Sequence, residues 1–263
     1  MTDTRPLSIE QRLVKAWYAK RSWIVLLAPL AWLFRLLVAV RRFILQTRYQ
    51  GRKFSVPVAV IGNISVGGSG KTPLIIALVS ALAERGYRVA VISRGYGAQG
   101  ACLPLEVKLH TAVEHCGDEP LVIKRSLEQY GCSVVVGPNR KQAADYVVAN
   151  CPCDLILSDD GMQHYGLHRD IEIAVIDGAR GFGNGLCLPA GPLREPISRL
   201  LSVDFVASNG PFKGSPKGSP KPAIDCEFEM RPVAFRHLAS GDQIAVDGWS
   251  LGSQVHAVAK YLF

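Results

Sequence analysis

The stretch ISVGGSGKTP, residues 64–73, sits between the apolar run VPVAVIGN (residues 56–63) and the segment PLIIALVSALAERG (residues 73–86). The run before it reads as a buried strand, and the segment after it as a helix that stops at Gly86. Strand, glycine-rich turn and helix with a GKT tail make the pattern of a phosphate-binding loop, whose usual frame is G-x-x-x-x-G-K-[ST]. Here the frame is Ser65, Val66, Gly67, Gly68, Ser69, Gly70, Lys71 and Thr72, with Ser65 where the first glycine would stand. Gly67, Gly68 and Gly70 let the backbone turn its N–H groups inward around phosphate oxygens. Lys71 brings a charge to the β- and γ-phosphates of ATP, and Thr72 offers a hydroxyl to Mg²⁺. The helix that follows points its positive end at the anion. A glycine-rich turn with an accidental Lys-Thr is the competing reading, and the flanking strand and helix speak against it.

Outward from this loop, apolar strands alternate with helices. YRVAVISRG, CSVVVG, CDLILSDDG, DIEIAVIDG and VDFVAS read as strands; DEPLVIKRSLEQYG and PNRKQAADYVVAN, the latter starting at Pro138, read as helices. The expected fold class is α/β: a mostly parallel sheet of P-loop NTPase type with helices on both faces. Ligands bind such sheets at the carboxyl ends of the strands. Four polar, glycine-rich loops fall there: GNISVGGSGKT, SRGYG, SDDG and DGARGFGNG. SDDG places Asp159 and Asp160 at the end of a buried strand, where a carboxylate holds Mg²⁺ directly or through water. An aspartate that merely helps the turn at Gly161 would explain one of the pair, not both. A rival class, the membrane-surface ATPase switch with a K-G-G-x-G-K-T loop, would need a lysine where this chain has Val66.

The charge is uneven. Residues 1–56 hold 11 Lys/Arg and 2 Asp/Glu, so 11 − 2 = +9 of the chain's net +8 lies there, leaving about −1 for the rest. A nucleic-acid binder spreads basic residues over its folded face, so no nucleic-acid partner is expected. The basic end surrounds WIVLLAPLAWLFRLLVAV (residues 23–40), interrupted by Pro29 and Arg35 and flanked by Lys20, Arg21, Arg41 and Arg42. An unbroken run of about 20 apolar residues would read as a transmembrane helix. Arg35 and the flanking charges read instead as a helix in the membrane interface, with Trp23 and Trp32 at headgroup depth and the basic residues meeting anionic lipid. The competing reading is a core helix of a soluble fold. Arg35 and the lack of a small-residue cleavage site argue against a signal peptide. The seven cysteines are scattered, odd in number and without a CxxC pair, as expected of reduced cytosolic thiols.

Five motifs together carry a resemblance: VPVAVIGNISVGGSGKTP, VISRGYG, GDEPLVI, SDDGMQHYGLHRDIEIAVIDGARGFGNG and LPAGPLREP. In this order they resemble the tetraacyldisaccharide 4′-kinases, the lipid A kinases of Gram-negative bacteria, over roughly residues 26–259. The resemblance implies transfer of the γ-phosphate of ATP, with Mg²⁺, to the 4′-hydroxyl of a tetraacyl glucosamine disaccharide 1-phosphate. It implies work at the cytoplasmic face of the inner membrane, the protein being peripheral or monotopic there and touching anionic lipid. It assigns Ser65 to Thr72 to the ATP loop and Asp118 of GDEP to the catalytic aspartate, which activates or orients the acceptor hydroxyl. Asp159 and Asp160 become metal-side carboxylates, and Gln163 and His164 complete a DDGxQH motif. Arg94 and Arg194 become candidates for phosphate or sugar contacts, with a structural ion pair as the alternative. His110, His168 and His237 fall outside these motifs and are expected at the surface or in packing.

The chain departs from the pattern at its end. The family continues past VHAVA with A-G-I-G-x-P-x-R-F-F and a smaller second domain, whose DH motif supplies a histidine partner for the aspartate. Here the text is VHAVAKYLF. The expected organisation is a membrane-associated helical segment (1–55), a P-loop kinase domain (56–210), a Pro/Gly/Ser/Lys linker with a repeated KGSP (211–224), and the start of a truncated C-terminal domain (225–263). On that expectation the chain binds Mg-ATP but phosphorylates the lipid weakly or not at all, the alternative function being a membrane-associated ATP-binding remnant. His115, near Asp118, lies on the wrong side of the Gly117 turn to replace the missing histidine, and QVHAVA is expected as an exposed edge strand.

Overall fold

The computed structural model describes residues 9–19, 22–49, 53–98, 103–230, 234–236 and 243–245. The chain divides into two compact units, Met1–Phe228 and Glu229–Phe263. In the second, the described residues form a two-stranded antiparallel ribbon, β9 (Ala234–Arg236) with β10 (Gln243–Ala245). The expected edge strand QVHAVA and His237 lie outside the described residues.

The first unit is an eight-stranded sheet in the order β3-β4-β2-β5-β1-β6-β7-β8. Its strands are β1 (Val58–Gly62), β2 (Val89–Ser93), β3 (Leu105–Glu106), β4 (Ser133–Val136), β5 (Leu155–Asp159), β6 (Ile171–Asp177), β7 (Phe205–Asn209) and β8 (Cys226–Phe228). All neighbours pair in parallel except the short edge pair β3–β4. Every residue of β1 and β2 is buried, as parallel strands covered on both faces require. Val58 and Val60 point to one face, where α6 (Arg140–Asn150) adds Ala143, Ala144 and Val147. Ala59 and Ile61 point to the other, where α3 (Lys71–Ala83) adds Ile75 and Val79 and α5 (Asp118–Ser126) adds Leu121 and Ile123. The chain moves from β1 to β2 on one side and from β5 to β6 on the other, so the sheet changes direction around β1. The register sets Ile61 beside Asp159, which brings the loops after β1 and β5 to one crevice.

Two details differ from the sequence reading. The helix expected from Pro138 begins at Arg140, because the Asn139 side chain accepts the backbone N–H groups of Lys141 (3.1 Å) and Gln142 (3.3 Å) and takes the cap position. The stretch 211–224 joins two strands of one sheet: β8 pairs with β7, so residues 225–228, expected in the next domain, belong to the first unit. The cysteines among the described residues are free thiols, and Cys102 lies outside them.

The N-terminal segment folds as α1 (Ile9–Tyr18), a 3₁₀ turn (Ser22–Leu27) and α2 (Ala28–Tyr49). Trp23–Thr47 is long and apolar enough to cross a membrane by length and composition, with a mean hydropathy of 2.2. It is not a core helix: Leu26, Trp32 and Phe43 are 82%, 72% and 68% exposed. Its two ends are nevertheless tied to the sheet unit. Trp17, just before it, donates its indole N–H to Pro189 O at 3.0 Å, and Ile24 is buried with it. Farther on, Phe34 packs against the core and Arg42 lies over the Tyr165 ring at 5.6 Å.

Candidate active site

The loop after β1 is shaped from several distant elements. Gly67 and Gly70 have φ of +101° and +89°, backbone that side chains rarely adopt, and a Cβ on Gly70 would lie 2.7 Å from Asn209 Nδ2. Asn63 braces the loop from within, its Nδ2 reaching Gly67 O and Ser69 Oγ at 3.3 Å each. Arg180, from the DGARGFGNG loop, donates to Gly68 O and is itself held by Asp177. The segment around Pro192 lies alongside: Val66 N–H donates to Pro192 O (2.8 Å) and Arg194 N–H to Ile64 O (2.7 Å). Gly68 has open space on its Cβ side and lines a cavity of about 710 Å³.

Lys71, the first residue of α3, places its Nζ 3.4 Å from Asp160 Oδ1, and Arg194 reaches Asp160 Oδ2 at 3.3 Å. Burial pushes the Asp160 carboxyl up, but Lys71 and Arg194 outweigh it and hold it below its ordinary value. Its Oδ1 is buried and takes no hydrogen bond despite the nearby ammonium. Asp159 is 2% exposed and accepts Ser93 Oγ at 3.2 Å. Burial first, then the Glu119 carboxylate, push it up to about 6 against Lys71 and Arg140. Thr72 donates its hydroxyl to Glu119 Oε1 at 3.2 Å. Thr72 thus meets one carboxylate and Lys71 another, while among the described residues no three carboxylate, imidazole or thiol groups are gathered closely enough to hold a metal by themselves, so a cation here would draw the rest of its oxygen donors from the nucleotide phosphates. Oxygen donors of this kind suit Mg²⁺, and a dication there would favour the ionised form of Asp159. The residues present therefore fit Mg-ATP.

Asp118 stands at the start of α5. It is exposed, accepts the Glu119 N–H at 3.0 Å and lines the same cavity. Its position depends on Gly117, with φ of +85° and a Cβ site only 2.7 Å from Tyr96 O, so the SRGYG loop and α5 touch there. Arg94, Gln163, His164 and Arg194 also line the cavity. Burial, then the charges of Arg140, Arg94 and Arg41, lower His164 to about 4, so its imidazole is neutral at pH 7. His115, on the short helix α4 (Val113–Cys116), is exposed and is not among the lining residues.

Residues 23–259 match the family described as tetraacyldisaccharide-1-P 4′-kinase. A tetraacyldisaccharide 4′-kinase from Stutzerimonas stutzeri (strain A1501) is 45% identical over 254 residues, 96% of this chain and 73% of the relative. One from Pseudomonas putida (strain W619) is 43% identical over the same shares. The chain belongs to this family. Among solved structures, the "apo" form of LpxK from Aquifex aeolicus in complex with ATP superposes with a TM-score of 0.66 at 27% identity, covering 86% of this chain and 70% of that one. The family's P-loop α/β fold and its ATP-dependent kinase activity are therefore those of this chain.

Of the residues expected at the kinase site, Gly67, Gly68, Lys71, Arg94, Asp118, Asp160, Gln163, His164 and Arg194 line this cavity, whereas Ser65, Val66, Ser69, Gly70, Thr72 and Asp159 are not among its lining residues. Arg194 makes the ion pair weighed for it, with Asp160, and also lines the cavity. Sequence reading missed Glu119, Arg180, Arg140 and Arg41. Glu119 stood next to Asp118 in GDEP, and Arg180 lay in a loop already assigned to this edge, so both had a signal. Arg140 had none: it is buried and donates to Gly137 O (3.0 Å) and Asp159 O (2.9 Å), closing the end of β5.

Gln163 is set by a buried ionic network. Its Nε2 donates to Asn63 O (3.0 Å) and Glu195 Oε1 (2.9 Å), and Tyr165 donates its hydroxyl to the other Glu195 oxygen. Arg199, 3% exposed, lies between Glu195 and Glu172 and pairs with both. Removing the arginine leaves Glu172 with Arg169 as its cation and the buried Glu195 with only the neutral donors Gln163 and Tyr165. Arg199→Ala is expected to lower stability by about 3 kcal/mol, as for other broken buried pairs. Urea unfolding followed by tryptophan fluorescence measures it; a midpoint equal to that of the wild type would show that the network contributes nothing to the fold.

Proposed function

We propose that this chain transfers the γ-phosphate of ATP to the 4′-hydroxyl of a tetraacyldisaccharide 1-phosphate, giving lipid IVA for lipid A biosynthesis. One observation supports the residue-level reading: Gly67, Gly68 and Lys71 of the glycine loop, the Asp160 carboxylate and the exposed Asp118 line a single cavity, with the buried Asp159 next to Asp160 at the strand end. The glycine loop and Lys71 hold the triphosphate. Thr72 and Asp160, with Asp159 and Glu119 beside them, would hold Mg²⁺, which would supply positive charge to the phosphates. Asp118 accepts or orients the proton of the acceptor hydroxyl. Arg94 and Arg194 supply further charge to phosphates, and the neutral His164 offers a hydrogen bond to a sugar or phosphate oxygen. The test is transfer of label from γ-labelled ATP to the disaccharide lipid, with ATP binding measured in parallel. Labelled lipid supports the reading; bound ATP with no labelled lipid reduces the chain to an ATP-binding protein.

We further infer that α2 places the protein on the cytoplasmic face of the inner membrane. Its exposed apolar side and the basic surplus around it suit an anionic bilayer surface. Because Trp17 and Arg42, on either side of the apolar stretch, both contact the sheet unit, a helix lying in the interface fits better than one that spans. Deleting residues 1–50 is expected to release the protein from anionic vesicles in a flotation assay. Continued flotation would move the lipid-binding surface into the sheet unit.

A further inference from the structure

Arg41 belongs to the apolar helix α2, yet it lines the same cavity as Lys71 and Asp118. Its neighbours one turn either way on that face, Leu37 and Ile44, are 59% and 43% exposed. The arginine therefore stands where an apolar helix surface meets the mouth of the catalytic cavity. It is near enough to His164 for its charge to help hold that imidazole neutral. Lys71 and Arg194 pair with Asp160, whereas Arg41 makes no ion pair with a carboxylate among the described residues. An arginine free of a carboxylate, facing a cavity from a lipid-facing helix, suits a phosphate on an amphiphile whose chains remain in the bilayer.

We propose that Arg41 binds the phosphate already carried by the acceptor lipid, so that the membrane helix itself supplies part of the substrate site. The acceptor then lies across the cavity with its hydroxyl end toward Asp118 and its phosphate end toward α2. The nucleotide phosphates belong to the other wall, where the glycine loop and Lys71 are. The identity of the amphiphile rests on the kinase reading above; the binding of an amphiphile's phosphate by Arg41 does not.

The test uses the whole chain and neutral phosphatidylcholine vesicles, so that bulk attraction to anionic lipid is removed. The vesicles contain either the acylated disaccharide 1-phosphate or the same lipid without its phosphate, and bound protein is measured by flotation. The wild type is expected to bind the phosphorylated lipid about fivefold to tenfold more strongly, the scale of one charge-assisted contact. Arg41→Ala is expected to bind both lipids alike, with Mg-ATP affinity unchanged, and Arg41→Lys to restore part of the preference. Arg35→Ala removes the same charge from another exposed position of α2 and is expected to keep the preference. A preference that survives in Arg41→Ala, or is absent from the wild type, overturns the proposal. So does a loss of Mg-ATP affinity in Arg41→Ala, which would assign the arginine to the nucleotide's phosphates. A wild type that shows the preference but transfers no phosphate would refute the kinase reading and leave the Arg41 site standing. Unchanged circular dichroism and melting temperature of Arg41→Ala confirm that the variant is folded.

Discussion

Lys71→Ala is expected to remove tight binding of Mg-ATP, with a loss of affinity of at least about a hundredfold. Lys71 is the cation of the glycine loop, and its ammonium stands on the cavity wall 3.4 Å from Asp160. Each charge-assisted hydrogen bond to a phosphate is worth about 1.5–3 kcal/mol, and one ammonium makes more than one. The substitution also leaves Asp160 with only Arg194 to balance it, in a crevice that also holds Asp159 and Glu119. The incoming triphosphate then meets carboxylates with less opposing charge, which compounds the lost attraction. Lys71→Arg keeps the charge in a different shape and should fall between the two. Calorimetric titration with Mg-ATP reads the effect directly. The rise in melting temperature that saturating nucleotide produces should disappear with it. An affinity equal to that of the wild type would mean that the loop is not the phosphate site.

Asp118→Asn should act on chemistry rather than on nucleotide. Turnover is expected to fall by about 10²–10⁴, the range of a lost general base, while Mg-ATP affinity changes little. The two carboxylates at the start of α5 are divided in their contacts: Glu119 accepts the Thr72 hydroxyl and belongs to the metal side, while Asp118 stays exposed at the cavity. Asparagine keeps the shape and the acceptor for the Glu119 N–H, so the turn at Gly117 is preserved. Single-turnover transfer measured beside ATP titration separates the two effects. A matching loss of ATP affinity would make Asp118 a nucleotide or metal ligand instead.

Much of this molecule is written locally. The alternation of five-residue apolar strands with helices, the glycines of the loop at 67, 68 and 70, and the Asp159-Asp160 pair at a strand end depend on neighbours a few residues away, and so could be read from the chain directly. The exposed α2 was legible for the same reason: its apolar run, broken by Arg35 and bordered by basic residues, is a local pattern. The cap at Asn139 was also local, but Pro138 masked it, since proline suits the first helical turn too. Other features depend on which strand lies beside which. The order that places β5 next to β1 sets Asp159 beside Ile61 and lets Lys71 reach Asp160. Thr72 meets Glu119 across 47 residues, and Arg180 meets Gly68 across 112. Periodicity and turn chemistry hold no information about such meetings, because they arise from burial of the sheet faces and the crossovers between strands. Arg41 illustrates the division most sharply. In sequence it was one of several charges flanking an apolar helix; only the docking of that helix on the sheet unit, through Phe34 and Arg42, brings it to the wall of the catalytic cavity.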